Sequence, residues 1–480
     1  MTALDQGTGG GSASSGEGGP YRARRIPFPT VDEISRHCVQ DDEPETVHIE
    51  VHLPGRPEPG RVREAFREAL RAHPRILVRE APGRWWRRQY EWEVTDGPDV
   101  EPVSFPPCAP DALTRARERA LAVCPPLTAS PPVRLEVVTE PDRTGCVLVL
   151  TVNHTALDGP SCLRVLATAA TLYGGGATPD APGTPDTPDT PGTPDTPGTP
   201  PTSPPPQAAT ATAPDRGGVR GLARPVRIAR DTHTPRTGNA LLLSELPVPP
   251  RTPGGPTVND QLLVATCLMA ARWNELHGRP ATPVRITMPV DDRPRGASGM
   301  AIGNGTRLVE VGFGPEERAD VPLLTQQTPD PAAVARLLRR TAARTRALKA
   351  APGAQLGVAG TLLTVPAVPV GLRAAVTRGL RRAAEPWIST TLLSNIGRIP
   401  YALDFGEAGR ATAVWFSAPA RMPRGLTVTT ASTGGRLHVT LRWSRALLDD
   451  AAGAGLAGLF QRALAATAQA HAGNTAGDTA

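Results

Sequence analysis

The feature that constrains this chain most is a threonine- and proline-rich segment near its middle. Residues 183–200 repeat Asp-Thr-Pro and Gly-Thr-Pro triplets. Many triplets lack glycine, which excludes a collagen helix, so the composition indicates an extended, solvated linker. A chain of 480 residues is also long enough for two domains. We therefore predict a disordered tail at 1–20, an N-terminal lobe at 21–173, a disordered linker at 174–221, a C-terminal lobe at 222–470 and a disordered tail at 471–480.

Hydrophobic periodicity predicts both strands and helices in each half. Residues 47–53 alternate apolar and polar side chains, which is typical of a half-buried strand, whereas 146–152 are almost continuously apolar and indicate a strand buried on both faces. A helix is predicted over 160–173, with Pro160 in its first turn. The same patterns predict strands at 132–140, 240–246, 284–290 and 436–443, and helices at 60–73, 257–277, 331–349 and 447–470. The fold class is therefore α/β.

Charge and cysteine content argue against several classes of function. The net charge is +6, but arginines are interleaved with acidic residues, unlike the clustered basic face of a nucleic-acid-binding protein. The six cysteines show no spacing that suits zinc, so we expect no metal site and a reduced, cytoplasmic setting. Residues 1–20 lack the basic and apolar regions of a signal peptide. The longest uncharged stretch, 350–372, is interrupted by prolines and glycines, so we expect no stable membrane insertion.

One of the nine histidines stands out by its position. His154 directly follows the buried strand, where a rigid strand end would hold a catalytic group well. Imidazole is suited to act as a general base near neutral pH. Asp158 comes four residues later, and pairing with a distant arginine would make it an anchor for the loop. Gly159 next to it would allow a sharp turn. The other histidines are expected to be structural.

The run from His154 to Gly159, HTALDG, resembles the HxxxDG motif of the chloramphenicol acetyltransferase-like superfamily. That superfamily includes nonribosomal-peptide condensation domains, polyketide-associated acyltransferases and plant BAHD acyltransferases. Further segments resemble those families in the same order along the chain. They are 69–79, 125–127, 131–135, 288–293 with Gly303-Asn304, 393–397 and Asp404-Phe405-Gly406, the last of which is expected to be structural.

The resemblance implies two lobes, each a mixed sheet with helices, with an active-site tunnel between them. His154 would be the catalytic base, with no covalent acyl-enzyme and no cofactor beyond an acyl-CoA or phosphopantetheinyl thioester as co-substrate. Asp158, Gly159 and Arg293 would be structural at the active site, with Asp158 paired to Arg293. Substrate-tunnel candidates are Asn153, Ser394 and Asn395.

The function implied is that of a stand-alone acyltransferase, which moves an acyl group from a thioester donor to a hydroxyl or amine on a small-molecule acceptor, in natural-product biosynthesis. Any acyl or peptidyl carrier protein would act in trans. One alternative is a free-standing condensation enzyme that joins carrier-bound substrates; another is a catalytically silent docking module. Condensation domains usually carry a second histidine where this chain has Asn153, which weakens the first alternative. The intact motif weakens the second.

Overall fold

The computed structural model describes residues 24–40, 42–176, 223–251, 254–291, 293, 302–351, 360 and 362–477. The tail predicted at 1–20 and most of the linker predicted at 174–221 lie outside the described residues. The last helix continues to Gly477, beyond residue 470, where the predicted lobe ends.

The N-terminal lobe is built on a five-stranded mixed sheet. Its central strands are long and antiparallel: all eight residues of β7 are buried, as its apolar run predicts, and β7 pairs with β2 on one side and β6 on the other. Strand β2 was predicted to be half-buried, but every residue except His52 is buried, because the Glu50 carboxylate on its polar face pairs with Arg117. A three-stranded antiparallel sheet lies beside it. The strands of this half are β1 (Arg25–Pro27), β2 (Thr46–Leu53), β3 (Val78–Glu80), β4 (Glu91–Val94), β5 (Val103–Ser104), β6 (Val133–Val138) and β7 (Cys146–Asn153).

Four helices accompany these strands: α1 (Thr30–His37), α2 (Pro59–Ala72), α3 (Ala112–Ala122) and α4 (Gly159–Tyr173). Helices α2 and α4 contribute side chains such as Phe66 and Leu166 to the main core of the lobe. Helix α3 forms a smaller core with the opposite face of β6 and β7. Both faces of β7 are covered, and its side chains are apolar apart from Thr151 and Asn153, as expected for a doubly buried strand.

The C-terminal lobe contains a six-stranded mixed sheet in the order β10-β9-β11-β13-β14-β8. Helix α5 begins at a capping box formed by Thr257 and Asp260, which satisfies backbone N–H groups of its first turn. The elements of this half are β8 (Asn239–Pro247), α5 (Val258–Leu276), β9 (Val284–Asp291), β10 (Thr306–Phe313), α6 (Val321–Leu324), α7 (Pro331–Ala350), α8 (Val370–Ala384), β11 (Thr391–Arg398), β12 (Ala413–Ser417), β13 (Leu426–Thr433), β14 (Arg436–Ser444) and α9 (Asp450–Gly477). The predicted α/β class with two mixed sheets is confirmed.

Strand β12 does not belong to the sheet of its own half. It pairs antiparallel with β2 at the edge of the N-terminal sheet, and Phe416 lies in the N-terminal core. Phe405, from the Asp404-Phe405-Gly406 segment, is buried in the same core beside the ring of Tyr173. The assignment of all of 222–470 to the C-terminal lobe is therefore wrong for this stretch. A buried edge strand must pair its backbone groups, and β12 satisfies those of β2.

Among the helices that the structure describes, none is both long enough and apolar enough to cross a membrane.

Candidate active site

His154 lies directly after β7, where the backbone is held on both sides. Asn153 pairs with Thr46 of β2, and the backbone N–H of His154 donates to the carbonyl of Glu45 at 2.8 Å. The imidazole Nδ1 lies 3.0 Å from the carbonyl oxygen of Leu157. Because a carbonyl oxygen only accepts hydrogen bonds, Nδ1 carries the hydrogen and the Nε2 lone pair is free. The ring is thus held in the tautomer that a general base requires.

The side chain of Asn153 forms hydrogen bonds to backbone groups inside the protein. Its Oδ1 accepts from the backbone N–H of Thr155 at 3.1 Å, and its Nδ2 donates to the carbonyl of Pro125 at 2.9 Å. Asn153 does not line the cavity described below. The prediction that it lines a substrate tunnel is therefore corrected, because both ends of its amide position the backbone at the start of the His154 loop.

The Asp158 carboxylate is buried and fully occupied. Its Oδ1 accepts from the backbone N–H of Ser161 at 3.0 Å, which makes Asp158 the N-cap of α4. Its Oδ2 accepts from the backbone N–H of Gly305 at 3.0 Å and lies 2.9 Å from Arg293 Nη2. The predicted ion pair is present. A carboxylate with its oxygens so engaged anchors the loop and is poorly placed to exchange protons.

Arg293 joins the two lobes through this ion pair. It lies just beyond β9, where its Nε donates to Asp291 at 2.8 Å, and its Nη1 reaches the Ser161 hydroxyl of α4 at 3.0 Å. Nearby, the Asn304 amide donates to the carbonyl of Thr155 at 3.0 Å. The C-terminal lobe therefore supports both the His154 loop and the start of α4.

Gly159 is required for space rather than for an unusual backbone angle. Its φ lies outside the left-handed region, so the sharp turn expected from the sequence is not its role. A Cβ at this position would lie 3.3 Å from two ring carbons of Phe416. The missing side chain thus lets the N-terminus of α4 approach β12 closely.

A cavity of about 460 Å³ lies beside His154. The N-terminal lobe contributes Val47 and Gly159 to its wall, and the C-terminal lobe contributes Pro289 and Leu392. This agrees with a substrate space between the lobes, as the resemblance implies. The wall is mostly apolar with a few polar groups, which is typical of a small-molecule site.

Ser394 and Asn395 both line this cavity, as predicted. The amide of Asn395 is occupied, because its Oδ1 accepts from the backbone N–H of Gly397 at 3.0 Å and from the hydroxyl of Thr430 at 3.1 Å. The hydroxyl of Ser394 has no hydrogen-bond partner within the described part of the chain. Of the two, Ser394 is the side chain with a donor available to a ligand.

Cys146 and Cys162 are the two cysteines nearest to His154 along the chain. Cys162, in the first turn of α4, is fully buried, and burial raises the pKa of its thiol, so a thiolate is disfavoured. Within the residues that the structure describes, no cluster of three histidine, cysteine, aspartate or glutamate side chains could hold a metal ion.

The sequence did not indicate several residues of the wall, namely Glu45, Phe416 and three arginines at 381, 421 and 424. Glu45 precedes β2, and the other four lie far from the motif along the chain. No local pattern marks them, because they reach the cavity only through the crossing of β12 and the packing of α8.

We compared the chain with known protein families, sequences and structures. No protein-family model matches the sequence. The chain is 28% identical over 406 residues to the uncharacterized protein Rv2305 of Mycobacterium tuberculosis (strain ATCC 25618 / H37Rv), covering 78% of this chain and 84% of that protein.

Two solved structures are similar over nearly the whole chain. One is a mutant of the starter condensation domain of rhizomide synthetase RzmA in complex with C8-CoA (TM-score 0.57, 13% identity, 92% of this chain and 94% of that one). The other is the TRI3 trichothecene 15-O-acetyltransferase from Fusarium sporotrichioides (TM-score 0.56, 12% identity, 92% and 94%). The chain therefore has the two-lobed fold of condensation domains and related acyltransferases, the chloramphenicol acetyltransferase-like fold that the HxxxDG resemblance predicted.

Proposed function

We propose that the protein transfers an acyl group from a thioester donor to a hydroxyl or amine of a small acceptor, with His154 as the general base. The observation that carries this proposal is the hydrogen bond from His154 Nδ1 to Leu157. It leaves Nε2 available as a base at the wall of a cavity formed by both lobes. The similar structures support the substrate classes, since one holds C8-CoA and the other is an O-acetyltransferase.

The reaction follows from these groups without a covalent enzyme intermediate. Nε2 of His154 takes the proton from the acceptor, and the acceptor oxygen or nitrogen attacks the thioester carbonyl carbon. The resulting oxyanion accepts a hydrogen bond from the Ser394 hydroxyl. The C–S bond then breaks, the thiol leaves with the proton from His154, and the acylated acceptor remains. Holding donor and acceptor in one cavity supplies much of the rate.

The test is release of free thiol from octanoyl-CoA with a panel of primary alcohols and amines, with the acylated products identified by mass spectrometry. His154→Ala should lower kcat at least 100-fold, whereas His233→Ala, at an exposed histidine, should leave it unchanged. Equal activity of the two variants would refute the proposal.

A second arm replaces octanoyl-CoA with an octanoylated carrier protein. Turnover with the carrier and none with CoA would assign the free-standing condensation reaction instead. Absence of turnover with either donor would favour a docking role.

A further inference from the structure

Three carboxylates and three arginines line the cavity beside His154. Two of the carboxylates, Asp158 and Asp291, pair with Arg293. The three arginines are Arg381, Arg421 and Arg424. Arg421 is neutralised by an ion pair with Glu45. Neither Arg381 nor Arg424 forms an ion pair with a carboxylate in the described ranges.

Arg424 is the most unusual of these side chains. Its Nε donates to the hydroxyl of Ser389 at 3.1 Å and its Nη2 donates to the hydroxyl of Thr287 at 3.3 Å. Both partners are neutral, and Nη1 is bonded to no described residue. Arg381, in the last turn of α8, likewise has no hydrogen bond or ion pair to the described part of the chain. Two guanidinium groups therefore face the same cavity without an ion pair to a carboxylate of the described residues.

Local charges make this arrangement unfavourable without a ligand. Burial lowers the pKa of Arg424 to about 10, against the attraction of Glu310, and Arg381, Arg227 and Arg421 repel it further. Arg424 is half-buried, and a cation partly removed from water without a paired anion destabilises the fold. Such a cost is typical of positions kept for binding rather than for stability.

Arg442 shows what a structural arginine without an acidic partner looks like in this protein. It is completely buried, yet its Nε donates to Asn239 at 2.6 Å and its two Nη atoms donate to Thr46 at 2.7 and 3.0 Å. Arg442 does not line the cavity. The difference is that every nitrogen group of Arg442 has a protein partner, whereas Arg424 presents an unused Nη1 at a cavity wall.

We propose that Arg424, assisted by Arg381, binds a carboxylate or phosphate group of the ligand that occupies the cavity. This deepens the proposed function, on which it rests, by making one of the substrates an amphipathic anion. The planar guanidinium suits either oxyanion, because it can donate two parallel hydrogen bonds. The surrounding wall is apolar, with Leu308, Leu392 and Ile396, so it suits the hydrocarbon part of the same ligand.

Binding measurements test this without any need for turnover. Isothermal titration should show that the protein binds decanoate at least tenfold more tightly than its neutral analogue decanamide, or 4′-phosphopantetheine at least tenfold more tightly than pantetheine. The first preference would assign a carboxylate and the second a phosphate. Arg424→Gln should abolish the preference, whereas Arg436→Gln, at an exposed arginine paired with Glu245, should keep it. Absence of both preferences, or a preference that survives Arg424→Gln, would overturn the proposal.

Thermal unfolding without ligand separates a binding role from a structural one. Arg424→Gln loses two hydrogen bonds to neutral hydroxyls, so it should lower the Tm less than Arg442→Gln, which loses a protein partner at every nitrogen. A loss of Tm as large as that of Arg442→Gln would overturn the proposal. His154→Ala should keep the preference for the anion, so a failure of the proposed reaction and a failure of this binding site give different results.

Discussion

Replacing Asp158 with alanine removes three contacts whose costs can be assigned separately. Loss of the N-cap of α4 costs about 1 kcal/mol. The N–H of Gly305 loses its acceptor, at about 1 kcal/mol for a half-buried group. Arg293 loses one of its two carboxylates but keeps Asp291, so the cost falls below that of an orphaned charge, at about 2 kcal/mol. We expect Asp158→Ala to lower the free energy of unfolding by about 4 kcal/mol.

A matched control isolates the role of the ion pair. Asp330 is the N-cap of α7 and accepts from the backbone N–H of Ala333 at 2.8 Å, so Asp330→Ala should cost only about 1 kcal/mol. Asp158→Asn keeps a good N-cap and loses the charge, so its cost should lie between the two. Urea denaturation of the three variants measures these differences.

Activity should follow the same order, since the Asp158 contacts hold the His154 loop. We expect Asp158→Ala to lower kcat/KM about 100-fold through misplacement of the imidazole. If Asp158→Ala were within about 1 kcal/mol of Asp330→Ala, the carboxylate would not be the anchor that its contacts indicate, and the reasoning would be refuted.

Three further outcomes can be measured. Gly159→Ala places a methyl group 3.3 Å from the Phe416 ring, so the rate of acyl transfer should fall about tenfold. Adding Phe416→Leu to this variant should restore part of the rate. An unchanged rate in Gly159→Ala would contradict the packing argument. Gly145→Ala puts a Cβ 2.0 Å from a backbone carbonyl oxygen and should lower the free energy of unfolding by more than about 2 kcal/mol. Gly97→Ala, where a Cβ would have nothing within 4 Å, should leave it nearly unchanged. Equal urea midpoints for the two variants would argue against the clash. Burial lowers the pKa of His73 from 6.5 to about 4. Below pH 6.5, His73 therefore binds a proton in the unfolded chain but not in the folded protein. Stability should then fall by at most about 1.4 kcal/mol per pH unit down to pH 4, and His73→Gln should show a smaller loss of Tm from pH 7 to pH 5 than the parent.

Local patterns predicted the elements that carry the motif. An apolar run ending at Asn153 predicts β7 and therefore a rigid position for His154, because a doubly buried strand needs a nearly continuous run of apolar side chains. No local pattern predicts the ion pair between Asp158 and Arg293. The two residues are 135 positions apart, and only the resemblance to a family indicated that they meet.

Non-local features could not be predicted from the sequence. The five residues of β12 resemble a short strand of either lobe, and nothing in them indicates that β2 is the partner. The sequence does not show which carboxylate side chains lie near Arg424 in the folded protein, so its lack of an ion pair could not be predicted. Asn153 was misassigned for a related reason, since the direction of its amide is set by the carbonyl of Pro125.

The crossing of β12 also affects the order in which the protein can be completed during synthesis. The N-terminal half of the chain leaves the ribosome with the edge of β2 unpaired, and its partner strand, Ala413–Ser417, emerges only after most of the second half has been made. An open strand edge invites pairing with other chains. A fragment ending in the linker would therefore be prone to aggregate, and cutting the gene at its threonine- and proline-rich centre would not yield two independent domains.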